Sequence, residues 1–276
     1  MKRLVFILSL ASLVLLLVGC GCQKQDHTHE YGEDYVCKIC KEMAKQSAGL
    51  DYSFDGASNS YTVIGKGICT DKEIVIPFEH NGSPVKKIQK YAFYDSDITS
   101  LVISSNITEI EDFAISNCQA LTEIIVSTEN ENFKSVDGSL YTKDGKRLVQ
   151  YALGKKDSEF TVPSGVSELG ACAFSNAPYL KTVNLGDVKA IGASAFNSCL
   201  QLEEINLYGV ETVKEYAFYG CSNLRSVKIS ESTQKIGVWA FYSSQSLKIS
   251  CDLAEKPDGW HDEWKGEGIT VTWGNK

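Results

Sequence analysis

Hydrophobic and polar positions along the chain follow one pattern that returns six times. Between Ile191 and Leu247 it is written almost three times over: IGASAFNSCLQLEEINLYGV, VKEYAFYGCSNLRSVKIS and IGVWAFYSSQSLKI. Aligned on the Ala-Phe pair, the alanines are Ala92, Ala114, Ala173, Ala195, Ala217 and Ala240, spaced by 22 or 23 residues except for one gap of 59. Counting from the alanine, position −4 is always aliphatic (Ile88, Ile110, Leu169, Ile191, Val213, Ile236), and position +1 is Phe in every copy but one, where Ile115 stands. From the second copy on, position +7 is leucine, and positions +10 and +12 are Ile124/Val126, Val183/Leu185, Ile205/Leu207 and Val227/Ile229. That two-residue step is strand periodicity, so the segment predicts a short β-strand with alternate side chains inward. The Ala-Phe segment is spaced more like a helical turn. A repeat of this length predicts a solenoid, in which each coil buries its apolar face only against its neighbours.

Stacked coils place their strands side by side. Strands are expected near 74–76, 101–103, 124–126, 160–162, 183–185, 205–207, 227–229 and 247–249, forming one parallel sheet. If +10 and +12 point inward, the alternate positions point outward as a binding face. Its candidates are Glu123 and Ile125, Thr182 and Asn184, Glu204, Asn206 and Tyr208, and Ser226 and Lys228. Ile125 and Tyr208 are the residues least expected on a merely solvated face. A second stripe, Tyr94, Tyr219 and Tyr242 with Tyr91, Tyr216 and Trp239, is expected to pack mostly between coils.

Outside the repeats the chain changes character. Lys2 and Arg3 precede an apolar run from Leu4 to Val18, too short for a comfortable membrane span and shaped like a signal peptide over 1–19. Residues 20–48 are a polar tether holding His27, His29, Cys37 and Cys40. A Cys-x-x-Cys pair is half of a tetrahedral zinc site, which the His-x-His could complete; a local disulfide or free thiols are the alternatives. Residues 49–87 lack the Ala-Phe signature and read as an amino-terminal cap, a hairpin followed by a strand with an Asn81-Gly82 turn, beside which His80 is expected to be solvated. Repeats fill 88–250, with a longer coil over 127–172 whose Lys143-Asp144-Gly145-Lys146 reads as a hairpin turn. The tail, 251–276, has Trp260, Trp264 and Trp273 and no repeat register; its indoles are expected to cover the open end of the last coil, with sugar binding as the alternative.

The pattern I-x-x-x-A-F-x-x-C-x-x-L-x-x-I-x-L resembles the BspA-type leucine-rich repeat of bacterial surface proteins, over about 50–276. The resemblance implies an α/β solenoid, a right-handed β-α superhelix with a parallel sheet face and capped ends. It also implies adhesion to a host matrix, another cell or a surface glycan. The segment Leu17-Val18-Gly19-Cys20 resembles the bacterial lipobox, which implies a lipid on Cys20 and an extracytoplasmic protein held at a membrane.

Composition removes other classes. The formal charge is −8, and loss of Lys2 and Arg3 would make the mature chain more acidic still, against a nucleic-acid partner. Four histidines lie in the tether and the two ends, and no nucleophile elbow, zinc-protease helix, phosphate loop or dinucleotide fingerprint is present. Cys118, Cys199 and Cys221 share position +4 with Ser96, Ala177 and Ser244, as expected of a small core residue. No catalytic residue is expected. The remaining readings are adhesion, a structural part of an envelope complex, or a zinc-binding tether with the solenoid as spacer.

Overall fold

The computed structural model describes residues 46–242 and 246–274. The amino-terminal segment is a hairpin of β1 (Asp51–Asp55) and β2 (Ser60–Gly65), then β3 (Glu73–Val75), then a second hairpin of β4 (Glu79–His80) and β5 (Ser83–Ile88). Asn81 and Gly82 turn it with φ of 49° and 76°, the left-handed pair that a two-residue hairpin loop needs. Two coils follow with β6 (Ser100–Ile103), β7 (Glu109–Ile110) and β8 (Glu123–Val126). The long coil adds β9 (Phe133–Val136), β10 (Ser139–Thr142), β11 (Arg147–Gln150) and β12 (Glu159–Thr161). Each later coil brings one two-residue strand and one longer strand. These are β13 (Glu168–Leu169) with β14 (Thr182–Asn184), and β15 (Ala190–Ile191) with β16 (Glu204–Asn206). Then come β17 (Thr212–Val213) with β18 (Ser226–Ile229), β19 (Lys235–Ile236) with β20 (Lys248–Cys251), and finally β21 (Thr270–Trp273).

The expected α/β superhelix is wrong: among the described residues there is no helix, and the fold is a β-solenoid. The Ala-Phe segment shows why. Position −1 has positive φ in all six copies: Tyr91, Phe113, Cys172, Ser194, Tyr216 and Trp239. Position +3 is again left-handed at Asp95, Asn117, Asn176, Ser198 and Gly220. A left-handed residue every four positions breaks any right-handed helix. The backbone instead zigzags, and alternate N–H groups point at the next coil. Cys172, Phe174 and Asn176 donate to the carbonyls of Ala193, Ala195 and Asn197 at 2.8–3.0 Å, and Ser194, Phe196 and Ser198 repeat this toward Glu215, Ala217 and Tyr219. From Ala173 on, each coil is therefore bonded to its neighbour on three sides: a long-strand ladder, a short-strand ladder and a ladder of turns.

The long strands do not form one sheet. β3, β6 and β8 make a three-stranded parallel sheet, and β12, β14, β16, β18, β20 and β21 a six-stranded one. Between them the long coil sends out β9–β10, an antiparallel hairpin turned at Asp137-Gly138 (φ 47° and 68°), continued by β11 through the Lys143–Lys146 turn. The short strands β13, β15, β17 and β19 stack in parallel onto β11. The tail also departs from expectation, because β21 pairs in parallel with β20 at a 22-residue offset (Lys248 with Thr270, Ile249 with Val271). Trp260 bridges Ile236 and Lys265 bridges Phe241, so this stretch is a further coil with indoles in the apolar places.

The core is correspondingly linear. Phe174, Phe196, Phe218 and Phe241 stack at centroid spacings of 4.9, 5.1 and 5.0 Å, within 6° of parallel. Tyr151 continues the column at one end, and Trp264 closes the other edge-on at 5.9 Å. Identical residues on identical backbones meet face to face because one coil's translation is close to the preferred offset-stacking distance of aromatic rings. Cys199 and Cys221 lie beside this column as buried thiols, and Cys118 is their counterpart beside Phe93 in the amino-terminal core. They do more than fill space. Each donates its Sγ–H to the carbonyl of the position +1 Phe one coil earlier, Phe93, Phe174 and Phe196, at 2.9–3.1 Å.

Burial pushes the Cys199 thiol up to about 12 and that of Cys221 well above its ordinary value. In the unfolded chain both ionise near pH 8.5. Because the folded values are raised, the stability that this burial carries is complete below about pH 8.5 and falls as pH rises beyond it. Urea midpoints measured at pH 7 and pH 10 should therefore drop, and the drop should be smaller in the Cys199→Ala/Cys221→Ala protein. An equal drop in both proteins would assign the effect to other groups.

Candidate functional site

The six-stranded sheet sets the geometry of the binding face. With Val183, Ile205 and Val227 inward, register aligns two outward rows across the strands. One runs Glu159, Thr182, Glu204, Ser226, Lys248, Thr270, and the other Thr161, Asn184, Asn206, Lys228, Ser250, Thr272. Asn184, Glu204, Asn206 and Lys228 are exposed, and Thr182 and Ser226 are half-buried. The face is polar, with both signs of charge. Tyr208 is its one large exposed ring (49%), just past the end of β16. The Asn206 side chain accepts a hydrogen bond from the Tyr208 backbone N–H at 3.0 Å, and the Tyr208 hydroxyl reaches Asp252 two coils on at 3.4 Å. Desolvation, and then the Asp252 carboxylate, hold the phenol above its ordinary pKa. Seven of the nine expected face residues thus share one surface.

The other two do not. Glu123 and Ile125 belong to β8 in the separate three-stranded sheet, and Ile125 is buried at 8% exposure. The reason is the β9–β10 hairpin, which folds back over that strand. The Ile124 N–H donates to the Gly138 carbonyl at 2.8 Å, and the Ser135 hydroxyl donates to the Ile124 carbonyl. Between hairpin and strand lies a cleft of about 620 Å³, lined by Glu123, Ile125, Ser127, Lys134, Asp137, Lys143 and Lys155 among others. Two of its lysines are committed: Lys155 pairs with Asp137, and Lys143 donates to the Thr128 and Asn130 carbonyls.

Asn130 anchors the whole excursion, and sequence reasoning did not single it out. It is fully buried, its amide donates to the carbonyls of Ser104 (2.8 Å) and Ile107 (2.9 Å), and its Oδ1 accepts from the N–H groups of Asn132 (2.8 Å) and Phe133 (2.7 Å). An Asn at the point where a repeat loses its register was the available signal.

Other expectations change too. His80 is not simply solvated: it stacks on Tyr52 at 4.0 Å and meets Tyr61 edge-on at 4.8 Å. The tyrosine stripe is not packed away between coils, since Tyr91, Tyr94, Trp239 and Tyr242 are 52, 49, 37 and 40% exposed. Trp260 and Trp264 are buried, as coverage of a coil end requires. Cys20, His27, His29, Cys37 and Cys40 lie outside the described residues. Among the described residues, no group of three or more His, Cys, Asp or Glu side chains is placed to hold a metal ion.

A stack of 22- or 23-residue coils with an outward polar strand face defines a leucine-rich repeat protein of the β-solenoid kind. The model of the BspA-type leucine-rich repeat region matches in six copies over residues 59–142 and 151–254, and the chain belongs to that family. The gap between the two matches, 143–150, falls on the turn into β11 and on β11 itself. Family membership points to a protein-interaction or adhesion role, and repeats of this kind are generally non-enzymatic binding modules.

No curated protein matches the chain. Among solved structures it is similar to the pneumococcal vaccine antigen PcpA, with 21% identity over 83% of this chain and 73% of that one and a TM-score of 0.53. A leucine-rich repeat protein from Eubacterium ventriosum is 26% identical over 65% of this chain and 41% of that one, with a TM-score of 0.49. A leucine-rich cell surface protein from Faecalibacterium prausnitzii is 24% identical over 70% and 55%, also with a TM-score of 0.49. The chain spans about two fifths of the Eubacterium protein and just over half of the Faecalibacterium one.

Proposed function

We propose that this chain is a non-enzymatic, extracytoplasmic lipoprotein, anchored through Cys20, whose solenoid binds a protein or glycan of a host matrix or another cell. The observation that carries the reading is the six-stranded face. It presents two aligned rows of amide, hydroxyl and charged side chains and one exposed tyrosine, none of which the core requires. Extended sheet surfaces of this form are what repeat proteins bind with. The lipobox-like Leu17–Cys20 supports the anchor, and the −8 charge speaks against nucleic acid.

The experiment is a binding screen of the full-length chain against matrix proteins, glycan arrays and bacterial cells, beside the Glu204→Ala/Asn206→Ala/Tyr208→Ala protein. The expected result is a ligand whose affinity falls by at least about tenfold in the triple variant while its fold is intact, because the variant removes a ring and two hydrogen-bonding groups from one patch. Binding indifferent to the substitutions would remove the strand face from consideration.

A further inference from the structure

The turn ladder carries two clusters of aromatic rings, each made by positions −1 and +2 of successive coils. The first holds Tyr91, Tyr94 and Phe113. The second holds Tyr216, Tyr219, Trp239 and Tyr242, whose rings close a circuit: Tyr216–Trp239 5.7 Å, Trp239–Tyr242 5.6 Å, Tyr242–Tyr219 5.4 Å and Tyr219–Tyr216 5.9 Å.

The fold does not ask for these rings. In the two coils between the clusters the same positions are Cys172 and Ser175, then Ser194 and Asn197. The backbone there is the same, with φ of 56° and 55° at Cys172 and Ser194 against 57° and 51° at Tyr216 and Trp239. A bulky residue in the left-handed region is a costly choice where serine serves as well. Tyr91, Tyr94, Trp239 and Tyr242 are exposed and Phe113, Tyr216 and Tyr219 only half-buried, so burial in the core does not explain their placement.

The first cluster indicates what such rings hold. Lys90, at position −2, extends its ammonium over two of them, 5.0 Å from the centre of Tyr91 and 4.8 Å from that of Phe113. Tyr91 and Phe113 are 5.6 Å apart, nearly the spacing of Tyr216 and Trp239, which occupy the same positions in the second cluster. There, however, position −2 is Glu215, with Val238 in the next coil. Among the described residues the cation–ring contacts are those of Lys90 and Lys155, and neither is on the second cluster. The second cluster therefore keeps the rings and has a glutamate at the position from which the first supplies its cation.

We propose that Tyr216, Tyr219, Trp239 and Tyr242, with Glu215 beside them, form a docking site for a lysine or arginine side chain on a basic segment of a partner protein. Ring faces attract the cation, Glu215 supplies the opposite charge, and the chain's net charge of −8 favours the encounter. The site lies on the turn ladder, not the strand face, and stands or falls separately from the reading above.

The test titrates fluorescein-labelled deca-lysine and deca-arginine peptides with the full-length chain and follows anisotropy at about 0.15 M salt, where long-range attraction is screened. Tyr216→Ser/Trp239→Ser copies the residue that Ser194 already places on this backbone, and should raise Kd roughly tenfold. Glu215→Lys restores the arrangement of the first cluster and should raise Kd by a similar factor even if the ring variant fails to fold. Glu255→Lys, an equal charge change in the tail, should leave Kd within about twofold, as should the strand-face triple variant, since neither touches the rings. Three results would overturn the proposal. One is a Kd unmoved by Glu215→Lys, and another is equal losses for Glu215→Lys and Glu255→Lys. The third is a neutral chitin oligosaccharide that binds through the rings while the basic peptides do not.

Discussion

Replacing Phe196 with alanine will lower the unfolding free energy by about 3–5 kcal/mol, the usual cost of emptying a fully buried aromatic position. Phe196 has no exposure, lies between Phe174 and Phe218 at 4.9 and 5.1 Å, and accepts the Cys221 thiol on its carbonyl. A globular core can close around such a hole from several directions. A solenoid core cannot, since the apolar face of each coil packs against the two coils beside it. The loss should also uncouple the coils on either side, so urea unfolding followed by near-ultraviolet dichroism should broaden as well as shift. Phe54→Ala is the control: its ring is 51% exposed on β1, and its removal should change stability by no more than about 0.5 kcal/mol. Equal effects from the two substitutions would mean that the phenylalanine column is not what holds the coils together.

Asn130→Ala will cost about 3 kcal/mol and act locally. The substitution strands the carbonyl of Ile107 and the N–H groups of Asn132 and Phe133 and leaves the Ser104 carbonyl only the long 3.4 Å bond from the Ile107 N–H, and each unpaired buried group costs on the order of 1–3 kcal/mol before relaxation. What these bonds hold is the departure of the chain from the repeat into β9 and β10. Hydrogen exchange should therefore show amides of β9 and β10 losing protection while those of β14, β16 and β18 keep theirs. The cleft beside Ile125 should open with the hairpin, exposing that side chain. Uniform loss of protection along the whole chain would show instead that the hairpin and the six-stranded sheet unfold as one unit.

The repeat was legible because its apolar positions are filled by the same few residues in every copy, and periodicity alone places the strands and the Phe column. What was not legible has particular causes. Position −1 is left-handed in every coil, yet Tyr91, Phe113 and Trp239 are residues that disfavour positive φ, so nothing at that position announces it. Position +3 did carry a signal in Asp95, Asn117, Asn176 and Gly220, residue types that tolerate the left-handed region; giving that signal weight would have ruled out the helical turn. Ile125 alternates outward as expected of its strand, and only the docking of a hairpin about ten residues later buries it, which is a tertiary event. The tail kept its 22-residue step in β21, but the tryptophans that replace the aliphatic positions hid the register. The strand face was legible for the same reason as the core, since outward positions are the complement of inward ones.

From Ala173 to Ala240, neighbouring coils meet through the same hydrogen bonds and the same ring contact, offset by 22 or 23 residues. At the level of the gene, duplicating or deleting one such unit brings together two surfaces that already fit, so the array can grow or shrink by inheritance without any compensating change. The same event across residues 127–172 would find no matching partner. Variation in length among descendants of this gene is thus channelled into the carboxyl-terminal half, and the reach of its binding face can change in whole coils while the hairpin stays single.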